Sequence, residues 1–523
     1  MTNVTQTLSG RHLFVTGATG FVGKVWLSHL LGHVPDIGRI TLLVRGDRTR
    51  TAAQRMADIL ATSPAMRPLK ERLGTAYAAF IEARVEVVEG DVTLPGLGLD
   101  GDTRESLAAS VDATVHFAGL TDFQPDPRRG VPANVRGAMH LADVVAGFRS
   151  PVLLHTSTCF VAGMAEGDVA ERLEIGRSPL GRRFDPVAEL EALEAIVRDE
   201  NDPGVRIERA DARAKHLGWP NLYTFTKGLA EHLLAARGDL RLAITRPSVV
   251  ECARTWPFAG WNEGLNTAAP ILWYCGTAFP ELPAEDAHLF DVVPVDAVAR
   301  WTSLALATLL CGTGEGVWQF ASSDVNPVTF GRIIELSALE RRRHARRPGA
   351  TLRDRLEAQI DVRGTRWGDL LPVHPEAVAA GVGDVVDALR HVEARSHWPR
   401  GTRWLADAVA PTLSGWRKRA TKARRSFHQL GKMLEVYRPF LHDHSWVFHT
   451  ERIRAATAQL GADDGAFVDD VGTMDWRRYW MDVQLPGVRR WSFPIMEGDV
   501  VADDPPCQPA LTLNGPRAQQ GAA

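Results

Sequence analysis

The chain has 523 residues, 45% hydrophobic and 24% charged, a balance that fits a folded protein with more than one core. Its net charge of −3 excludes a global field drawing it onto nucleic acid, so any such binding must come from local patches. Its five cysteines lack metal-ligand spacing, which argues against a disulfide scaffold and for a reducing cytoplasm. The polar start, MTNVTQTLSG, has no signal-peptide core, and no apolar run reaches the ~18 residues of a spanning helix. A cytoplasmic protein is expected, with peripheral membrane contact left open and no nucleic-acid partner.

His12–Thr16 is an apolar run entering a glycine cluster, and Val22–Leu31 follows with helical spacing. Further buried runs are Arg39–Val44, Arg84–Val88, Ala113–Phe117, Val152–His155 and Leu242–Thr245, separated by stretches long enough for helices. Strands alternating with helices predict an α/β fold, a doubly wound parallel Rossmann sheet. Residues 166–216 are charged and helix-prone and are read as an insertion over the site. From 329 strand runs fade, so 1–328 is expected as the reductase domain and 329–502 as a mainly helical C-terminal domain. The Pro/Gln/Gly/Ala-rich stretch 503–523 is expected to be a disordered tail.

Thr16-Gly17-Ala18-Thr19-Gly20-Phe21-Val22-Gly23 gives GxxGxxG between strand and helix. Gly17 suits the tight turn, Gly20 the approach of a pyrophosphate, and Gly23 the packing of helix on strand. The second strand ends at Arg45, with Arg48 behind it, where an NAD site usually carries an acid. Two arginines suit a 2′-phosphate, so NADPH is the expected cofactor; a solvated loop is the alternative. Asp91 and Val92, after the third strand, are placed for the adenine edge, or for a surface turn.

Tyr223-Thr224-Phe225-Thr226-Lys227 is Y-x-x-x-K, and i, i+4 residues share a helix face. A nearby ammonium is expected to lower the phenol pKa. Thr156-Ser157-Thr158 follows the fifth strand and Pro247-Ser248-Val249 the sixth, at the carboxyl end of the sheet where such folds bind ligands. Cys159 beside Thr158 raises an acyl-cysteine alternative, but adjacent residues of an extended chain point opposite ways. His442-Asp443-His444 lacks a further ligand at metal spacing, so no metal is expected. The basic runs Arg341–Arg347 and Arg417–Arg425 are solvated helix faces, or anion sites for CoA phosphates or lipid head groups.

Together these motifs resemble the extended short-chain dehydrogenase/reductase superfamily. The resemblance implies that Thr158 binds the carbonyl oxygen, with Ser157 as the one-residue alternative. It makes Tyr223 the proton donor and Lys227 the cofactor-orienting cation. Asn134, in ANVRG, holds a relay water, and Ala118 and Gly119 lie by the cofactor. The ordered series TGATGFVGK, HTSTCFVAG, YTFTK, RPSVV, PFAGWNEGLN, DVVPVDAV and SSDVNPVTF is similar to the fatty acyl-CoA reductases. VPDIGRITLLVRG and YTFTKGLAEHLL are similar to their bacterial alcohol-forming branch. WVFHTERI…FVDDVGTMDWRRYW…PGVRRW resembles their C-terminal domain.

That likeness implies two-stage reduction of a long-chain acyl-CoA by NADPH, through an aldehyde to a primary alcohol, with CoA released. Aldehyde release and an acyl carrier protein donor stay open, as does oligomeric state. A sugar-nucleotide epimerase or dehydratase is the competing reading. The chain departs from the family at Phe160, Ala162 and the Ala118-Gly119 pair, which bears on substrate preference.

Overall fold

The computed structural model describes residues 3–265, 268–277, 279–370, 374–393, 403–501 and 513. Seven parallel strands form its main sheet: β1 (His12–Thr16), β2 (Arg39–Val44), β3 (Val85–Glu89), β4 (Ala113–His116), β5 (Val152–Thr156), β6 (Arg241–Pro247) and β7 (Gly316–Phe320). Their order is β7-β6-β5-β4-β1-β2-β3, so the sheet reverses direction of growth between β1 and β4. Thr16 pairs with His116, which pairs with His155, and Thr156 pairs with Thr245. This register brings the carboxyl ends of β1, β4, β5 and β6 to one edge, beside the crevice where such sheets bind ligands.

The strands are apolar on both sides because helices cover both. Helices α1 (Phe21–His33) and α4 (Val295–Leu310) bury Val25, Leu27, Leu30, Val298 and Leu306 with the sheet residues Leu13, Val15, Val115 and Leu154. On the other face α2 (Gly137–Ala146) and α3 (Leu222–Ala235) bury Leu141, Val145, Ala230 and Leu234 with Phe14, Leu43 and Leu153. This alternation is the doubly wound arrangement. The strand β7, GVWQF, was absent from the sequence reading, since it lies far along the chain and its start is glycine.

The predicted insertion contains a short strand, Gly167–Val169, and helices Pro186–Asp199 and Pro203–Leu217. Leu190, Leu193, Ala210 and Ala214 pack with Leu222, Phe225 and Leu229 of α3. Arg206, nearly inaccessible, binds Asp126 through two nitrogens, Nε to Oδ1 at 3.0 Å and Nη2 to Oδ2 at 2.5 Å.

The chain divides into two compact units, 1–271 with 289–328 and 446–523, and 272–288 with 329–445. The expected domain of 329–502 is therefore corrected: its residues 446–502 belong to the reductase unit. Trp446–Phe448 pairs with Gly167–Val169, Tyr479 donates to the Cys252 carbonyl at 2.8 Å, and Asp464 accepts Val4 N–H at 2.7 Å. Trp446 stands in this strand and meets Phe160 edge-on at 5.5 Å. The tail expected at 503–523 lies outside the described residues except Leu513, which is buried. In the second unit, helices Pro375–Glu393 and Arg403–Arg438 pack together. No described helix is long and apolar enough to cross a membrane.

Candidate active site

The glycine turn is built by close approach. Gly17 has φ +76°, and a Cβ there would lie 2.4 Å from Ala118 N and 2.6 Å from Phe117 C. A Cβ on Gly23 would lie 2.4 Å from the Gly17 carbonyl oxygen, so the start of α1 rests directly on the turn. Gly20 caps α1 and is exposed, and the nearest atom to a Cβ there is Gly17 O at 3.4 Å. The first helical bond runs from Lys24 N–H to Gly20 O at 3.0 Å, which leaves the amides of Phe21, Val22 and Gly23 at an accessible helix N-terminus. The cradle thus fits a dinucleotide diphosphate. Phe21 stacks on Trp261 at 5.2 Å, and Lys24 pairs with Glu263, two contacts that no motif announced.

At the end of β2 Arg45 is exposed and pairs with Asp91 at 3.3 Å. Arg48 is exposed on the same loop. Asp91 accepts Thr93 N–H at 2.8 Å. Burial opposes its ionisation, but the Thr93 hydrogen bonds and Arg45 outweigh it and hold the carboxyl below its usual range. Val92 lines the neighbouring backbone, where His140 Nδ1 lies 3.1 Å from its carbonyl oxygen. After β4, a Cβ on Gly119 would lie 3.2 Å from Asn134 Oδ1 and 3.6 Å from Lys227 Nζ. Glycine there keeps the chain against both.

Tyr223 and Lys227 lie on α3, whose start is fixed by Asn221 accepting Thr224 N–H at 2.9 Å and Asp211 accepting Leu222 N–H at 3.1 Å. Asp211 comes from the insertion and carried no sequence signal. Burial raises its pKa to about 6. Phe123, another residue without a motif, packs its ring 5.9 Å from that of Tyr223. Thr158 is buried and caps the turn Cys159–Ala162, and it lies near enough to Tyr223 to favour the phenolate.

The electrostatics differ from the sequence expectation. Burial pushes the Tyr223 phenol up to about 12, with the Thr158 hydrogen bond only partly opposing it. Lys227 donates to the Thr156 carbonyl at 2.6 Å. Burial lowers its own pKa to about 8, with Glu231 working the other way. One of the three ammonium donors is thus held by the β5 backbone, and desolvation of the phenolate dominates the Tyr223 shift. The His116 and His155 rings lie 5.1 Å apart, tilted by 35°, in the sheet interior. Burial keeps both neutral, His116 at about 3.

Asn134 sits in a π turn, Val131–Arg136, ahead of α2. Its side chain accepts Leu120 N–H at 2.7 Å and donates to Leu120 O and Thr226 Oγ1, both at 3.0 Å. The amide nitrogen is thus committed twice over and the oxygen once. Pro247 ends β6, and Ser248 and Val249 follow it, with Ser248 N–H bonded to Phe320 O at 3.0 Å. The preceding Arg246 forms a buried ion pair with Glu231, Nε to Oε1 at 2.9 Å. Cys159 points away from the site and donates its thiol to Arg246 O at 2.8 Å, and burial raises its pKa well above normal. That thiol is no nucleophile. In the second unit His442 has both ring nitrogens engaged, by Asp443 and by Trp367 N–H.

A glycine turn at the switch point of a parallel sheet, facing a Thr/Tyr/Lys set, defines an extended short-chain reductase. Residues 15–302 match the family described as male sterility protein, an NAD-binding family. The probable fatty acyl-CoA reductase 5 of Arabidopsis thaliana is 31% identical over 64% of this chain and 71% of its own length. Fatty acyl-CoA reductase 1 of the same plant is 27% identical over 93% and 98%. The alcohol-forming fatty acyl-CoA reductase of Simmondsia chinensis is 25% identical over 93% and 98%. The terminal R domain of the myxalamid pathway shares the fold, with a TM-score of 0.52 at 16% identity over 93% of this chain and 92% of that one. The chain belongs to the fatty acyl-CoA reductase family and is an oxidoreductase that uses a nicotinamide cofactor.

Proposed function

We propose that the chain uses NADPH to reduce a long-chain fatty acyl-CoA to the aldehyde and then to the primary alcohol, releasing CoA. The observation that carries this reading is the convergence of the glycine turn on Ala118, of Gly119 on Asn134 and Lys227, and of Lys227 on the end of β5 that leads into Thr158, all on one sheet edge. The cofactor, when bound, supplies hydride to the substrate carbonyl. Thr158 and Tyr223 then face the oxygen on which negative charge develops, the term that usually dominates such catalysis. With its pKa near 12 the phenol is protonated at neutral pH, so Tyr223 holds the proton the oxyanion takes up. One donor pair serves both stages: collapse of the hemithioacetal expels the thiolate, and the aldehyde oxygen returns to the same place. Lys227, beside Gly119 and Asn134, orients the nicotinamide ribose, and Gly20 to Gly23 cradle the diphosphate.

The test mixes the purified chain, NADPH and acyl-CoA of graded length, and follows NADPH oxidation, free thiol and the lipid product. Alcohol in a ratio of two NADPH per thiol is expected; no turnover at any chain length defeats the reading.

The 2′-phosphate is assigned to Arg45 and Arg48. Arg45→Ala is expected to weaken NADPH binding about tenfold or more, the worth of a charged hydrogen bond, while NADH changes little. Equal losses for both would remove the assignment. Lys227 is an ammonium below about pH 8 and neutral above it. NADPH affinity is therefore expected to hold below pH 8 and to fall as pH rises through that value, by up to about tenfold per unit. A flat dissociation constant from pH 7 to pH 9.5 contradicts the ribose role.

A further inference from the structure

The second compact unit carries 22 Lys and Arg against 16 Asp and Glu, a net of +6 in a chain whose total is −3. Such an asymmetry between parts of one chain points to a polyanionic partner. The charge concentrates on the helix Arg403–Arg438, where no acid stands between Asp407 and Glu435. Lys418, Lys422, Arg425 and Lys432 are all exposed and recur at steps of four, three and seven, so they form one stripe. The opposite side of the helix buries Leu430 and Leu434. Arg417 is paired, with Glu393 at 2.6 Å, whereas the four stripe residues have no ion pair among the described residues.

Apolar exposure accompanies the charge. Leu352 is 74% exposed and Leu356 61%. Val500 apart, these two are the most exposed large apolar side chains among the described residues, and both lie in this unit. Leu352 and Leu356 are one turn apart on a short helix, Leu352–Glu357, that follows the basic run Arg341–Arg347. Nucleic acid asks for cations and hydrogen-bond donors, and exposed leucines do nothing for it. An interfacial lipid surface uses both cations for the head groups and apolar side chains for the acyl boundary.

We propose that this unit docks peripherally on anionic lipid bilayers, through the Lys418/Lys422/Arg425/Lys432 stripe and the exposed Leu352 and Leu356. The docking is independent of turnover: a chain that bound vesicles and reduced nothing would sink the reductase reading and leave this one standing.

The experiment is flotation of the full chain with vesicles of phosphatidylcholine alone, or with phosphatidylglycerol added, over a salt series. Binding to the anionic vesicles alone is expected, and it should weaken steeply with salt as the charges are screened. Lys418→Gln/Lys422→Gln/Arg425→Gln should lower the vesicle partition coefficient by about 100-fold, at roughly tenfold or less per charge. Leu352→Ser/Leu356→Ser should weaken it separately without altering the salt slope. All five positions are exposed, and an unchanged unfolding midpoint verifies that each variant is folded. Equal partition onto neutral and anionic vesicles, no partition at all, or an unaffected triple variant overturns the proposal. So does tighter binding to duplex DNA than to anionic vesicles at the same salt.

Discussion

Tyr223→Phe is expected to lower kcat by about 10²- to 10⁴-fold, the range of a lost general acid, with NADPH affinity close to that of the wild type. The ring stays: Phe at this position keeps the contact with Phe123 and the helical packing of α3. Only the hydroxyl goes, and with it the proton opposite Thr158. Because that phenol sits near pKa 12, the wild-type acid stays protonated across the neutral range, and its own titration should not shape the pH profile. The descending limb belongs to Lys227 instead. Stopped-flow hydride transfer, with NADPH binding measured separately, resolves the two. Activity within tenfold of the wild type would show that another group supplies the proton.

Gly17→Ala should be the most damaging single substitution in the cofactor turn, costing about 3 kcal/mol or more of stability. Two effects add. A non-glycine residue at φ +76° carries roughly 1–3 kcal/mol of strain. The new methyl must also displace the Phe117–Ala118 backbone, which a Cβ would approach at 2.4 Å. Backbone of the sheet edge cannot swing aside as a flexible side chain would. The same shift would move Ala118 and Gly119, which abut the Asn134 and Lys227 side chains. Urea unfolding and NADPH titration of the variant are the measurements, and a midpoint unchanged from the wild type would refute the steric account.

Much of the sheet was legible because parallel strands buried on both faces are nearly continuous apolar runs. HLFVT, RITLLV and VLLH could scarcely be anything else, and GxxGxxG after the first of them fixed the order of turn and helix. The strand β7 escaped because GVWQF starts with a glycine and follows a long helix, α4, with no motif to mark it. The domain boundary failed at its far end for a different reason. Residues 446–501 are short turns and helices that look like the stretch before them, and long-range contacts such as the pairing of Trp446–Phe448 with Gly167–Val169 reveal where they belong. Long-range pairing leaves no local periodicity.

The catalytic set was visible as residue types and spacing, but its electrostatics were not. A lysine four residues from a tyrosine suggests a lowered phenol pKa. Which carbonyl the lysine bonds, and how completely the ring is desolvated, depend on β5 and the surrounding helices. Asp211 and Phe123 were invisible for the same reason: each reaches α3 from an element with no signature of its own.

The return of the chain after residue 445 bears on how the protein is made. Phe160, two residues beyond Thr158, rests on Trp446 and Phe448, and the Glu251 carboxylate accepts Gln484 Nε2 at 2.6 Å. A nascent polypeptide leaving the ribosome has all of its hydride-transfer residues long before these partners emerge. The reductase half must wait, incompletely clad, while the intervening 329–445 stretch is synthesised. A fragment cut at 445 should therefore be sticky and chaperone-dependent, although every residue assigned to chemistry is present in it.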